Sequence, residues 1–239
     1  IGSPPVTVES EVSYQYPGRP DIVLQKELRM APVMRHPISE RKKRVRVDGK
    51  LKEWNGPWNT FGGAHMQGAL FDYRGAEDVE IRFQTAYDAE NLYLAIDITD
   101  DEIYSDEKAS LWNQDAVLIG LDGRAWPISA MNDGQGRNQD WMAYPRTFRE
   151  KDPVYRPDGL PVSVTSAVEK TDAGMAMEIA IPLSYLKQQQ DGDWSAFRLD
   201  VGYYDVDNDG EARTEHYWYP AWGSAESLAG EGMFFRNGE

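Results

Sequence analysis

From Val45 onward, hydrophobic and polar residues alternate with a period of two. Val79, Ile81, Phe83 and Thr85 alternate with Glu80, Arg82 and Gln84. Leu92, Leu94, Ile96 and Ile98 share one face, as do Val117, Ile119 and Leu121. The same spacing recurs in Val162, Val164 and Val168, in Met175–Ile181, and in Phe197–Tyr203. Alternation over four to eight residues marks half-buried strands. Asp-Gly pairs beginning at 48, 122, 133, 158, 191 and 209 supply turns that tolerate positive φ. Asp88–Asn91 joins two strong strands as a hairpin. The one good helix candidate is short, 183–190, after Pro182. Many strands separated by turns predict an all-β chain, an antiparallel β-sandwich of jelly-roll type with few short helices.

Residues 1–40 break this pattern. Pro4, Pro5, Pro17, Pro20, Pro32 and Pro37 interrupt every element there. An N-terminal extension or linker is expected over 1–40, and one sandwich domain over 41–239. At 239 residues the chain is long enough for one large β domain. No apolar run approaches the ~18 residues of a membrane helix.

Charge narrows the partners. The chain carries −15 overall. Residues 1–50 hold ten Lys/Arg and six Asp/Glu, which leaves −19 on residues 51–239. Such a body repels phosphate backbones, which argues against nucleic acid; it either suits neutral ligands or divalent cations or serves solubility alone. Eight Trp and 13 Tyr either fill a β core or offer faces on which sugar rings stack.

Catalytic patterns are missing. The three histidines, His36, His65 and His216, lie in no HExxH pattern, and no GxSxG elbow occurs. Cysteine is absent. No enzyme activity is expected. One segment does suit a metal. Asp205, Asp207, Asp209 and Glu211 alternate along one stretch, with Gly210 sixth. Calcium takes several hard oxygens around such a turn. Position twelve is His216, so the segment is no EF-hand. It is either a possible calcium site or an acidic hairpin turn.

Several short motifs, in order, resemble the family 9 carbohydrate-binding modules. Val45–Trp54 (VRVDGKLKEW) is similar to that family's opening, and Ala86–Ala95 (AYDAENLYLA) to its hairpin. Asp100 ends the next strand, and Trp112–Val117 (WNQDAV), Met177–Pro182 (MEIAIP), Phe197–Asp209 and Trp218 follow. The likeness spans roughly 45–235. It implies an antiparallel sandwich, calcium, and a sugar held between two tryptophans. Trp112 takes the place of one wall, with Trp126 or Trp222 as the other. Asn113 and Gln114 would meet the hydroxyls. In the family the ligand lies on the second face of the strand, which here carries Ala116, Leu118 and Gly120. A Glu and an Arg beside the platform are also implied. Leu118 follows Val117, however, and Ala125–Met131 carries no arginine.

The resemblance thus implies a non-catalytic glycan-binding domain of a larger secreted, periplasmic or cell-surface bacterial protein. Poly- or oligosaccharide is its expected partner. The alternative is a structural or interaction domain of the same fold without the sugar site.

Overall fold

A computed structural model describes residues 6–15, 17–18, 22–30, 35–63, 66–68, 73–104, 115–122, 140–145, 164–207, 212–218 and 232–236. Two strands, β1 (Val6–Tyr14) and β2 (Ile22–Met30), form a separate antiparallel hairpin. The rest is the sandwich. Its strands are β3 (Arg35–Glu40), β4 (Asn59–Phe61), β5 (Met66–Gly68), β6 (Val79–Tyr87), β7 (Asn91–Asp100), β8 (Ala116–Asp122) and β9 (Asp140–Pro145). They continue with β10 (Thr165–Thr171), β11 (Gly174–Pro182), β12 (Ala196–Asp207), β13 (Ala212–Tyr217) and β14 (Gly232–Arg236). One short helix, α1 (Ser184–Gln189), follows Pro182 as expected.

In the first sheet β10, β11, β7 and β6 run antiparallel, and β4 and β3 share the far edge of β6. In the second, β8 lies along one edge of β12 at 198–204. The other edge pairs with β14 at 196–199 and with β13 at 202–207. The alternating residues read from the sequence fill the space between the sheets. Ile81, Phe83, Leu92, Leu94, Ile96, Val117, Ile119, Met177, Ile179, Phe197 and Val201 are all fully buried. Trp218, edge-on to Phe83 with ring centres 4.7 Å apart, belongs to this core.

β3 departs from the antiparallel pattern. It pairs in parallel with β14, from Arg35↔Met233 to Ile38↔Arg236, and then in parallel with β6 at Ser39↔Ala86. It therefore stitches one sheet to the other, with Ile38 wholly buried. Residues 35–40, expected in the extension, lie inside the sandwich. Pro37 obscured the strand, since proline lacks the ladder donor. Deleting residues 1–34 is expected to leave a cooperative melt at nearly the same temperature. Deleting 1–40 also removes the seam strand and Ile38, and a buried isoleucine alone is worth about 2–5 kcal/mol. Urea unfolding of both truncations checks this; equal midpoints would place the boundary at 40 after all.

The segment 45–58 lies across the outer face of the first sheet. Val45 and Trp54 pack there on Ala86, Tyr93, Ala95 and Ala180. Glu178, fully buried on β11, holds it down. Its carboxylate accepts N–H bonds from Asp48 and Gly49, each 2.8 Å, and from Trp54 Nε1 at 2.7 Å. Gly49 sits at φ 78°, and a Cβ there would come within 3.0 Å of the Glu169 backbone. The Asp-Gly…Trp spacing is thus a tether for this segment.

Candidate ligand face and carboxylate cluster

At one end of the core the inward face of β12 changes from apolar to acidic. Asp205 and Asp207 continue the parity of Val201 and Tyr203. Three carboxylates from other elements meet them: Asp78 just before β6, Asp100 ending β7, and Asp115 leading into β8. Oxygens of Asp78, Asp205 and Asp207 lie within 4.8 Å of one another, as do those of Asp100, Asp115 and Asp205. All five residues are buried.

Most of these oxygens have donors. Asp115 accepts Val206 N–H at 2.8 Å and Tyr104 N–H at 2.7 Å. Asp100 accepts the Tyr203 hydroxyl. Asp205 Oδ2 accepts Thr214 Oγ1 at 2.7 Å. Arg74 bonds Asp78 Oδ1 at 3.0 Å and Asp207 Oδ2 at 2.7 Å. Two buried oxygens, Asp205 Oδ1 and Asp207 Oδ1, find no hydrogen-bond donor among the described residues. Arg74 is the one cation in ion pairing with the cluster among the described residues, and it is half exposed. Burial therefore pushes Asp205 up to about 8, despite the Thr214 bond. Burial, then the Asp100 charge, pushes Asp115 up too, and burial raises Asp207 against the pull of Arg74. Buried carboxylates in this state hold protons or a cation. An all-oxygen donor set with two undonated oxygens fits a hard divalent ion such as calcium.

The sequence singled out Asp205 and Asp207 within one local loop. Both instead lie on a strand, where alternation aims them the same way, and their neighbours come from distant segments. Asp209 and Glu211 lie outside the described residues. Asp100 and Asp115 stood out as motif residues without a stated role, and Asp78 gave no signal.

The second candidate region is the face of the second sheet turned from the core. Register sets Leu118 beside Gly202, Gly120 beside Asp200 and Asp122 beside Arg198. The face expected to bear ligand thus carries Arg198 and Asp200, on the strand after α1 rather than in 125–131. Both are buried, at 3% and 1% exposure. In the next rows stand Tyr204 and, on β13, Tyr217 and Glu215. The Tyr217 hydroxyl lies 3.2 Å from the Tyr204 hydroxyl and 3.4 Å from Glu215 Oε2. Its ring occupies the space left by Gly202, where a Cβ would stand 2.7 Å from Cδ1. Burial first, then the Tyr204 contact, raises the Tyr217 phenol far above its ordinary value, so it stays a neutral donor. An arginine, an aspartate and paired phenols on one face can orient a hydroxylated ligand. Trp112, Asn113, Gln114, Trp126 and Trp222 lie outside the described residues. Asp115, next after Gln114, immediately precedes β8, whose first residue, Ala116, stands opposite Tyr204.

A family model described as "carbohydrate family 9 binding domain-like" matches residues 47–227. The chain belongs to this family. Two solved structures share the fold of this family 9-like chain, both of a family 9 carbohydrate-binding module from Caldicellulosiruptor kristjanssonii. One is in complex with cellotriose, at 15% identity and TM-score 0.61, covering 86% of this chain and 94% of that one. The other is in complex with glucose, at 14% identity and TM-score 0.62, covering 86% and 96%. No curated protein matches the chain. Among the described residues of this module no helix is long and apolar enough to cross a membrane.

Proposed function

We propose that this family 9-like domain is a non-catalytic glycan-binding module of a larger bacterial protein working outside the cytoplasm, with a saccharide bound on the outer face of the second sheet. The supporting observation is the register that sets Arg198 and Asp200 beside β8 and in line with Tyr204 and Tyr217. Trp112, with Trp126 or Trp222, stacks on the CH face of the sugar. Asn113 and Gln114 meet its hydroxyls. Arg198 and Asp200 are the charged partners, and hydrogen bonds to charged groups are worth about 1.5–3 kcal/mol. Calcium belongs to this reading as a structural ion on Asp205 and Asp207, with Asp78, Asp100 and Asp115 completing the oxygen set. Asp209 and Glu211 are offered as further ligands from the following loop.

Titration with cellotriose and soluble polysaccharides, followed by tryptophan fluorescence, tests the reading. Trp112→Ala is expected to weaken binding about tenfold or more, about 1.4 kcal/mol per decade, with the melting temperature unchanged. One observation favours the alternative of an interaction domain without a sugar site: Arg198 and Asp200 are almost wholly buried. No glycan response, combined with a strongly destabilised Trp112→Ala, would establish that alternative.

A further inference from the structure

The edge of β6 is covered by two strands that do not meet. β4 pairs with it as far as Phe83, and β3 begins at Ala86, so Gln84 and Thr85 fall between the two registers. Tyr87 turns its carbonyl to this edge and accepts Arg41 N–H at 2.7 Å. Alternation turns the backbone of Thr85 the same way. Gly56 bridges the gap from outside. The Gln84 amide holds it by two bonds, Gly56 N–H to Oε1 at 3.2 Å and Nε2 to Gly56 O at 2.9 Å. Between them opens a cleft of about 490 Å³, within the ~300–1,000 Å³ typical of small-ligand sites.

Its floor is the His36 ring, stacked on Phe234 with centres 5.1 Å apart. Asn55, Asn59 and Ser39 stand at its walls with Thr85. Burial lowers the His36 pKa, which leaves a neutral imidazole, donor at one nitrogen and acceptor at the other. Amides and hydroxyls share that two-way character, as do the hydroxyls of a sugar. Glu40 and Arg41 are the charged lining residues, of opposite sign. The Arg41 guanidinium is already spent on Glu53 O at 3.1 Å and on the Trp54 ring. The lining therefore selects no net charge. A two-residue gap is too short to take up a peptide strand, which leaves a compact uncharged polyol.

We propose that this seam cleft is a second saccharide site, sized for one or two sugar rings. The inference rests on the glycan reading above but uses different residues. His36 and Phe234 lie on the opposite face of β3 and β14 from Arg35 and Met233, the pair in register with Arg198.

Cellotriose titrated into the isotope-labelled full chain, with backbone amides and aromatic rings followed by NMR, tests it. The amides of Gly56 and Thr85 and the His36 ring are expected to shift along one saturable curve. In Trp112→Ala that curve persists with its midpoint unchanged. In Asn55→Ala/Asn59→Ala it weakens about tenfold or vanishes, while the Trp112 indole signal still titrates. Silence at Gly56, Thr85 and His36 beside a titrating indole overturns the cleft and leaves the main reading standing. Loss of the cleft shifts in Trp112→Ala overturns it as well, since they would then report binding elsewhere. Titration of the cleft with a silent indole supports the second site and counts against the first.

Discussion

Stripped of divalent ions, the protein is expected to melt lower, and millimolar calcium is expected to restore it with a shift that grows as the pH rises. The unfolded chain ionises its aspartates near pH 4. In the fold without metal, burial holds Asp205 up to about 8 and raises Asp115 and Asp207. Between those limits the fold binds more protons than the unfolded chain. Its stability therefore falls as pH climbs from about 4 through about 8. A cation replaces those protons, so its contribution is least near pH 5 and greatest at pH 8 and above. At a hundred times its dissociation constant an ion adds about 2.7 kcal/mol, or about 5–10 °C for a domain of this size. Thermal melts in calcium and in chelator at pH 5 and pH 8 check this, with Asp207→Asn expected to blunt the response. An identical melting temperature in both buffers at pH 8 would mean the cluster is held by protons alone.

Glu178→Ala is expected to be the most damaging single exchange on the first sheet. It deprives the Asp48 and Gly49 amides and the Trp54 indole of their acceptor at once. Each buried donor left unsatisfied costs about 1–3 kcal/mol, and the Gly49 amide and Trp54 indole are buried, so the loss is at least about 2 kcal/mol. Glu178→Gln fares little better, because its amide group turns donors toward donors. Trp54→Phe loses one bond and part of one ring, and should cost clearly less. Urea midpoints of the three variants rank the effects. A Trp54→Phe loss equal to that of Glu178→Ala would make ring packing, not the carboxylate, the tether.

How far these features could be read beforehand depends on whether the cause is local. Strand alternation is local, and the core residues of β6, β7, β8, β11 and β12 followed from it directly. The Asp-Gly…Trp opening was visible as a family pattern, but its reason, the Glu178 carboxylate some 130 positions away, was not. Arg198 and Asp200 sit in FRLDVGY as the polar half of a half-buried strand, a pattern that reads as solvent-facing. Only the pairing of β12 with β8 reveals that they stand beside Asp122 and Gly120, two rows and one row from Leu118. The same holds for the carboxylates. Asp205 and Asp207 are neighbours in sequence and could be paired by eye, whereas Asp78, Asp100 and Asp115 reach them through three different strand ends. β3 was hidden for the opposite reason: a local proline argued against a strand that tertiary pairing secures.

The parallel pairing of β3 with β14 also governs the order of folding. Arg35 must find Met233, almost two hundred residues later, before the two sheets are joined. Contacts that distant close slowly, because the loop entropy is spent before the contact rewards it. On a ribosome the first sheet can zip from β6, β7 and β11 while the seam waits for the last strand. Until then Ile38 and Phe83 lack the cover of Phe234, and the growing chain carries an open sheet edge that invites chaperones or mispairing.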